Sequence, residues 1–249
     1  MRAALAVPRL VRDADANCDK VVAMIGQAAA RRADLVLFPE AVLTGLINND
    51  DPLHDLPLGQ EVLGAMIGRI AAAAAQQKIH VCLGLLEREG EKLFDSSLLI
   101  DDRGAAVLHY RRISLGWHGF APDAATHCYG EGVPHADTRF GRVVMLICGD
   151  LFDDGILDAA RRSRPDLLLY PFARSFDDGS ADQQRWDSDE IPDYAQRVQQ
   201  LGATALMANY LGSTADDDAS FGGAAVVSAT GRLVASLPLG QEGLLVADL

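Results

Sequence analysis

Residues 140–150 read Phe-Gly-Arg-Val-Val-Met-Leu-Ile-Cys-Gly-Asp, and this stretch indicates the class of fold more clearly than any other part of the chain. The unbroken apolar run at 143–147 is typical of a strand buried on both faces of a parallel sheet. Gly149 and Asp150 end that run, and a helical pattern follows at 154–162. The sequence therefore predicts a strand, a tight turn and a helix, with the side chain of Cys148 lifted out at the edge of the sheet.

Strand and helix patterns alternate on both sides of this stretch, and two hairpin patterns interrupt the alternation. This order predicts an α/β domain of packed layers, with a mixed sheet or two sheets. Because no Pro-, Gly- or Ser-rich linker divides the chain, we predict a single domain over 1–249, with acidic surface loops at 175–190 and 216–220. The predicted strands are 2–7, 34–38, 79–84, 143–147, 166–170, 204–209 and 243–248, the hairpins are 93–101 with 105–110 and 224–228 with 233–237, and the helices are 17–32, 59–77, 154–162 and 194–201.

The composition excludes several classes of protein. With 49% hydrophobic and 23% charged residues, a chain of 249 residues can bury a sizeable core. The 22 Lys and Arg against 35 Asp and Glu give a net charge of −13, so we expect neither nucleic acid nor a membrane as a partner. The four cysteines form no C-x-x-C pair, and no apolar stretch approaches the roughly 18 residues of a membrane span. These features favour a cytoplasmic protein without a zinc cage or a disulfide framework.

Cys148 is the candidate nucleophile, although a cysteine at a strand end is also a common small buried hydrophobe. All six histidines precede Cys148, which excludes the residue order of papain-like proteases and of α/β-hydrolases. The base of a Cys148 nucleophile must then be a carboxylate. Glu40 follows the apolar run 35–38, and burial there raises the pKa of a carboxyl toward neutral pH. The alternative is that Glu40 lies in a loop and faces solvent.

Three segments, in this order, resemble the signature segments of the nitrilase (carbon-nitrogen hydrolase) superfamily. They are Leu-Val-Leu-Phe-Pro-Glu-Ala-Val-Leu-Thr-Gly at 35–45, Tyr-Arg-Arg-Ile-Ser-Leu at 110–115 and the stretch at 140–150. The resemblance implies a four-layer αββα sandwich with mixed sheets and a Glu-Lys-Cys triad. It also implies hydrolysis of non-peptide C–N bonds without a metal or an organic cofactor.

Carried over by position, Glu40 is the general base and Cys148 the nucleophile, but the position of the lysine holds Arg112. Arginine stays protonated and presents a planar fork, whereas lysine is a compact charge that can release a proton. If the cation supports the oxyanion of the tetrahedral intermediate, Arg112 keeps part of that role. If the cation must transfer a proton, Arg112 cannot do so.

The resemblance also implies further residues of the site. Many amidases of the family place another carboxylate before the cysteine strand, and Asp123 is its nearest equivalent here, with Glu131 the less favoured choice. The backbone N–H of Gly149 is a candidate oxyanion donor beside Arg112. Trp117 and Phe172 are candidates for lining the substrate pocket, although ordinary packing is the alternative for each.

These observations predict a thiol-dependent hydrolase of a small linear amide, with a nitrile or an N-carbamoyl compound as a less favoured substrate. The competing hypothesis is a catalytically weak or silent member with a ligand-binding or assembly role, suggested by the exchange at Arg112. An acyl transferase using the same thioester is a third class, which no residue favours. Relatives usually pair, so we expect a homodimer. Loops 46–57 and 116–134 set the substrate, and residue type alone does not identify it.

Overall fold

The computed structural model describes residues 1–212 and 220–249, and its strands form mostly from buried apolar runs. The run predicted at 143–147 begins as a strand at Gly141 and continues to Met145, with Val143, Val144 and Met145 fully buried. The strands, in chain order, are β1 (Arg2–Val7), β2 (Leu35–Leu37), β3 (His80–Glu89), β4 (Lys92–Ile100), β5 (Ala106–Arg111), β6 (His135–Thr138), β7 (Gly141–Met145), β8 (Leu167–Pro171), β9 (Thr204–Ala208), β10 (Ala224–Val227), β11 (Leu233–Leu237) and β12 (Gly243–Asp248).

These strands form two mixed sheets of six strands each. The first sheet has the order β12-β1-β2-β3-β4-β5, and the second has the order β11-β10-β9-β8-β7-β6. The inner strands β1, β2 and β3 run parallel, as do β7, β8 and β9, while the outer pairs are antiparallel. The sheets face each other, since β1 contacts β9 and β10, and β3 contacts β8.

Helices cover the outer face of each sheet. On the first sheet lie α1 (Ala14–Ala30) and α3 (Ala65–Gln77), which pack against each other and share one apolar core with the strands. On the second sheet lie α4 (Asp154–Arg162) and α6 (Ile191–Leu201), whose apolar faces belong to the same apolar cluster as the strands of that sheet. Two short helices are α2 (Pro52–Asp55) and α5 (Gln183–Arg185). The layers confirm the predicted αββα sandwich.

No helix within 1–212 or 220–249 combines the length and the apolar character needed to cross a membrane.

Some predicted elements differ in extent from those of the structure. The predicted helix 59–77 begins only at Ala65, since Gln60 instead forms a bridge to Glu87 beside β3. The predicted strand 79–84 continues as β3 to Glu89 and turns through Gly90, which has a φ of +65°, into β4. Polar residues at the ends of β3 and β4 hid this hairpin, because the apolar pattern covers only its central part.

The prediction of a surface loop at 175–190 is wrong in part. Phe176 and Trp186 are buried, with exposures of 2% and 5%, and their rings pack on Phe221. Burial of two aromatic rings draws this acidic segment onto the core, and it forms α5 and a π-helical turn. Of the other predicted acidic loop, 216–220, residues 216–219 lie outside the described residues.

Candidate active site

Cys148 lies at a strained turn, three residues after the end of β7 at Met145. Its φ of +45° is in the left-handed region, which costs a non-glycine residue on the order of 1–3 kcal/mol. Hydrogen bonds hold the turn: Ile147 N donates to Asp150 Oδ2 at 2.9 Å, and Tyr170 Oη donates to Cys148 O. The strain turns the thiol out of the strand, so Cys148 is only half-buried and its Sγ contacts Ala173 O at 3.5 Å.

Glu40 follows β2 and is fully buried, which rules out the alternative of a solvent-facing loop residue. Its backbone is held against β3, because Gly84 N donates to Pro39 O at 3.0 Å and Val42 N donates to Gly84 O at 3.0 Å. A Cβ at position 84 would lie 2.5 Å from the Cα of Glu40. Glycine on β3 therefore permits the close approach that directs the Glu40 side chain inward.

Arg112 directly follows β5 and joins Glu40 in the buried interior, with an exposure of 4%. Its Nη1 donates to Glu40 Oε1 at 2.9 Å and to Asp95 Oδ2 at 3.3 Å. Its Nε donates to Ser114 Oγ at 2.9 Å, and its Nη2 donates to Leu115 O at 3.2 Å. These bonds use four of the five guanidinium hydrogens, and the second hydrogen on Nη2 has no partner among the residues the structure describes.

Burial dominates the electrostatics of this cluster. It raises the pKa of Glu40 to about 8, and the nearby Cys148 acts in the same direction while Arg112 opposes them. Burial also raises the pKa of Asp95, with the charge of Glu40 as the next cause. For Arg112 burial acts to lower the pKa, but Glu40, Cys148 and Asp95 together raise it. A carboxyl that titrates near neutral pH beside a thiol and a permanent cation suits a general base.

Asp150 connects the cysteine turn to the segment that carries Arg112. It is fully buried, and its Oδ1 accepts from Ser114 N at 2.8 Å and from Ile113 N at 3.2 Å. Its Oδ2 accepts from Tyr110 Oη at 2.7 Å as well as from Ile147. Asp150 thus ties one sheet to the other at the site, in addition to capping the 3-10 turn that begins at the cysteine.

Gly149 makes room for the arginine. A Cβ at this position would lie 2.7 Å from Arg112 Nη2 and 2.9 Å from Ser114 Oγ. The same proximity places the unused Nη2 hydrogen of Arg112 beside Gly149. The backbone N–H of Gly149 is the other candidate oxyanion donor. The exchange to Arg112 and the glycine after the nucleophile therefore fit each other in space.

We expect Gly149→Ala to lower kcat/KM of a reaction that uses Cys148 as its nucleophile by about 10- to 100-fold, since a displacement of the donor by even 1 Å weakens catalysis on that order. The added methyl group must push the guanidinium away from Glu40 or distort the turn. The matched control is Gly68→Ala in α3, where an added Cβ meets no atom within 4 Å. Equal kcat/KM values for the two variants would contradict the close fit at Gly149.

The two candidates for the additional carboxylate are both exposed, whereas Glu40 and Arg112 are buried. Asp123 is exposed, and its side chain accepts from Ala125 N at 3.2 Å and from Thr126 Oγ1 at 2.9 Å. Glu131 is also exposed and lines a surface cavity of about 560 Å³. Within the described part of the chain, no hydrogen bond or ion pair joins either carboxylate to Glu40 or Arg112.

The two aromatic candidates are both buried. Trp117 is 2% exposed and packs beside His127 and Tyr129, and its Nε1 has no hydrogen-bond partner in the ranges described. Phe172 is 1% exposed, and its ring stacks on both Tyr170 and Trp186. Phe172 therefore belongs to the core that supports the cysteine turn through Tyr170.

Two residues of the site escaped the sequence analysis. Asp95 lies in β4 and is 1% exposed, and Arg112 N donates to its backbone oxygen at 2.8 Å. In the sequence, Asp150 marks only the end of the apolar run at 143–147. The sequence feature that could have identified Asp95 is a carboxylate within a strand of mostly apolar residues. An unpaired charge is costly there, so such a residue needs a partner.

Among residues 1–212 and 220–249, no group of three or more His, Cys, Asp or Glu side chains is arranged to hold a metal ion. Two surface cavities, of about 560 and about 490 Å³, are lined by other residues than Glu40, Arg112 and Cys148.

The chain is similar to several known proteins. Nitrilase 3 from Arabidopsis thaliana is 24% identical over 95% of this chain and 75% of its own length. The bromoxynil-specific nitrilase from Klebsiella pneumoniae subsp. ozaenae is 32% identical, but the match spans 55% of this chain and 42% of that protein. A double mutant of the amidase from Nesterenkonia sp. AN1, solved in complex with acrylamide, shares the fold with a TM-score of 0.82 and 24% identity, over 100% of this chain and 90% of that one. The profile described as "Carbon-nitrogen hydrolase" matches residues 2–249, and the chain therefore belongs to the carbon-nitrogen hydrolase family.

Proposed function

We propose that this carbon-nitrogen hydrolase cleaves small linear amides through a thioester on Cys148. The observation that carries the proposal is the buried bond of 2.9 Å between Glu40 and Arg112, formed close enough to Cys148 for its charge to raise the pKa of Glu40. An acid, a permanent cation and a sulfur thus share one small region. The solved amidase with acrylamide supports an amide as the substrate class.

In the first half of the reaction, Glu40 takes the proton of the Cys148 thiol and the sulfur attacks the amide carbon. The negative charge that develops on the amide oxygen is stabilised by the N–H of Gly149 and the free Nη2 hydrogen of Arg112. When the C–N bond breaks, Glu40 returns the proton to the leaving nitrogen. Ammonia departs and the acyl group remains on Cys148.

In the second half, Glu40 removes a proton from a water molecule, and the resulting hydroxide attacks the thioester carbon. The same two donors hold the second oxyanion. The C–S bond then breaks, the carboxylic acid leaves, and the proton held by Glu40 returns to the Cys148 sulfur. In this scheme Arg112 acts only through its charge and its N–H groups. Since no step requires Arg112 to release a proton, its permanent protonation does not hinder the reaction.

Nitrile hydrolysis is the second candidate, because the two curated relatives named above are nitrilases. A thiol adds to a nitrile carbon as it adds to an amide carbon, so the same residues serve both substrates. The test is to incubate the protein with propionamide and with propionitrile and to measure ammonia. Release from the amide alone supports the amidase, release from the nitrile alone overturns it, and release from neither supports the silent alternative.

The pKa of Glu40 predicts the pH profile of the amidase. Since Glu40 must be ionised to accept the thiol proton, we expect kcat/KM to rise about tenfold per pH unit below pH 8 and to level off near that value. Initial rates of ammonia release from propionamide, measured at low substrate concentration across this range, provide the profile. A rate that stays flat from about pH 5 to pH 8 would count against Glu40 as the base.

Three expectations from the sequence stay predictions: a single domain over 1–249, a cytoplasmic location and a homodimer. Sedimentation of the purified protein tests the last of them.

A further inference from the structure

We propose that Asp95 stays a neutral carboxylic acid in the folded protein and donates its O–H to the Glu40 carboxylate, so that it positions the base. Its effect on catalysis rests on the proposed amidase function. The protonation of Asp95 is independent of that function. One experiment tests the effect on catalysis, and a second tests the protonation.

The two carboxyls have few hydrogen-bond donors: Arg112 serves both of them, and the backbone N–H of Ala173 acts on Glu40 and lowers its pKa. Both accept from the same nitrogen, Arg112 Nη1, through Glu40 Oε1 and Asp95 Oδ2. The remaining oxygens, Glu40 Oε2 and Asp95 Oδ1, are buried and have no hydrogen-bond partner among the described residues. A buried acceptor without a donor is costly. One proton on Asp95 converts an acceptor into a donor and relieves this shortage for the pair.

The charges of the buried cluster also favour a proton on one of the two carboxyls. Both carboxyls are essentially inaccessible to water, with exposures of 0% for Glu40 and 1% for Asp95. Arg112 is the cation that both of them contact, so two ionised carboxylates leave the buried cluster with a net negative charge. Asp150, whose charge also acts on Asp95, adds to this repulsion. Tyr110 and the Cys148 thiol contribute no positive charge.

The proton belongs on Asp95 rather than on Glu40. Arg112 lies nearer to Glu40, at 2.9 Å against 3.3 Å, which favours the ionised form of Glu40. A hydrogen bond between the two carboxyls lowers the pKa of Glu40 and raises the pKa of Asp95. An Asp95 O–H therefore stabilises the ionised base and fixes its orientation, while Glu40 keeps its capacity to accept the thiol proton.

The catalytic consequence is tested by the pH profiles of Asp95→Asn and Asp95→Leu. An asparagine amide is a neutral donor like the carboxylic acid, so we expect the midpoint of the acidic limb of kcat/KM to stay within about half a pH unit of the wild type. Leucine removes the donor, so we expect the midpoint to rise by about one unit. A midpoint that falls by one unit or more in Asp95→Asn would show that Asp95 is an ionised neighbour whose charge repels Glu40, and would overturn the proposal.

The protonation itself is tested by the pH dependence of stability, whether or not the protein hydrolyses amides. A carboxyl whose pKa is raised by folding stabilises the folded state fully below its unfolded pKa, and that stability is lost as the pH rises toward the folded pKa. We therefore expect the free energy of urea unfolding to fall as the pH rises from about 5 to 8 in the wild type. The slope should be steeper than in Asp95→Asn by the amount that corresponds to one more proton bound in the folded state.

The matched control is Asp178→Asn. Asp178 is an exposed aspartate whose side chain accepts from Ser180 N, and its pKa is lowered by that bond. Its variant is expected to keep the slope of the wild type over the same pH range. Parallel slopes for the wild type and Asp95→Asn would mean that Asp95 is ionised in the folded protein, which contradicts the proposal. If the stability result holds and no variant releases ammonia, the proposed function fails while the shared proton stands.

Discussion

Cys148→Ala is expected to lower ammonia release from propionamide by about 10⁴-fold or more, because loss of a nucleophile removes the covalent pathway as a whole. The substitution removes only the sulfur at a half-buried position, where Sγ donates to Ala173 O at 3.5 Å. Alanine also tolerates the turn, since Ala41 already has a φ of +45° in this protein. The variant should therefore unfold at nearly the urea concentration of the wild type.

The control for this variant is Cys128→Ala. Cys128 is also half-buried, and its Sγ donates to Ala125 O at 3.9 Å. Ammonia release by Cys128→Ala should equal that of the wild type. If Cys148→Ala kept more than a tenth of the wild-type rate, a thioester on this residue would be untenable.

Arg112→Met is expected to harm both stability and activity. It leaves the buried Glu40 and Asp95 without their shared cation, and breaking a buried ion pair in this way costs about 3–5 kcal/mol. Loss of an oxyanion donor alone lowers kcat by about 10²–10³-fold. Urea unfolding and ammonia release measure the two effects on the same preparation. Part of the stability loss is recovered if Glu40 takes up a proton, which would also remove the base.

Arg112→Lys separates the charge of Arg112 from its shape. The ammonium keeps the positive charge but cannot repeat the four hydrogen bonds of the planar fork, so we expect an activity between those of the wild type and Arg112→Met. Arg142→Met is the control, since Arg142 forms an exposed ion pair with Asp137, and its stability should stay close to that of the wild type. A lysine variant more active than the wild type would support the alternative of a catalytically weak member.

Much of the fold followed from local patterns. The helix predicted at 154–162 is α4 itself, and the hairpin predicted at 224–237 forms β10 and β11. Both elements have a strong local signal. The helix has an amphipathic pattern of apolar and charged residues, and the hairpin has a Thr-Gly turn between two apolar runs. The predicted hairpin around 101–104 likewise forms, between β4 and β5. The short strand β6 was missed, because four residues of mixed polarity carry no periodicity.

Some residues of the site were likewise predictable from the sequence, and others were not. Glu40 and Cys148 follow apolar runs that end abruptly, so sequence order alone marks them as candidates. The fit between Arg112 and Gly149 brings together residues that follow strands of different sheets, and a Cβ added at Gly149 would lie 2.7 Å from Arg112 Nη2. No local pattern in the sequence contains this proximity. The role of Asp95 depends on a shared guanidinium nitrogen, and that of Asp150 on bonds to Tyr110 and Ser114. These are properties of packing, and only the assembled fold reveals them.

The most direct measurement of the proposed chemistry is the partition of the acyl group between water and hydroxylamine. Propionamide and methyl propionate form the same thioester if Cys148 is acylated, so both should give the same ratio of hydroxamate to propionic acid at each hydroxylamine concentration. Neither product should form with Cys148→Ala. Ratios that differ between the two substrates, or products that persist in Cys148→Ala, would contradict an acyl-enzyme on Cys148.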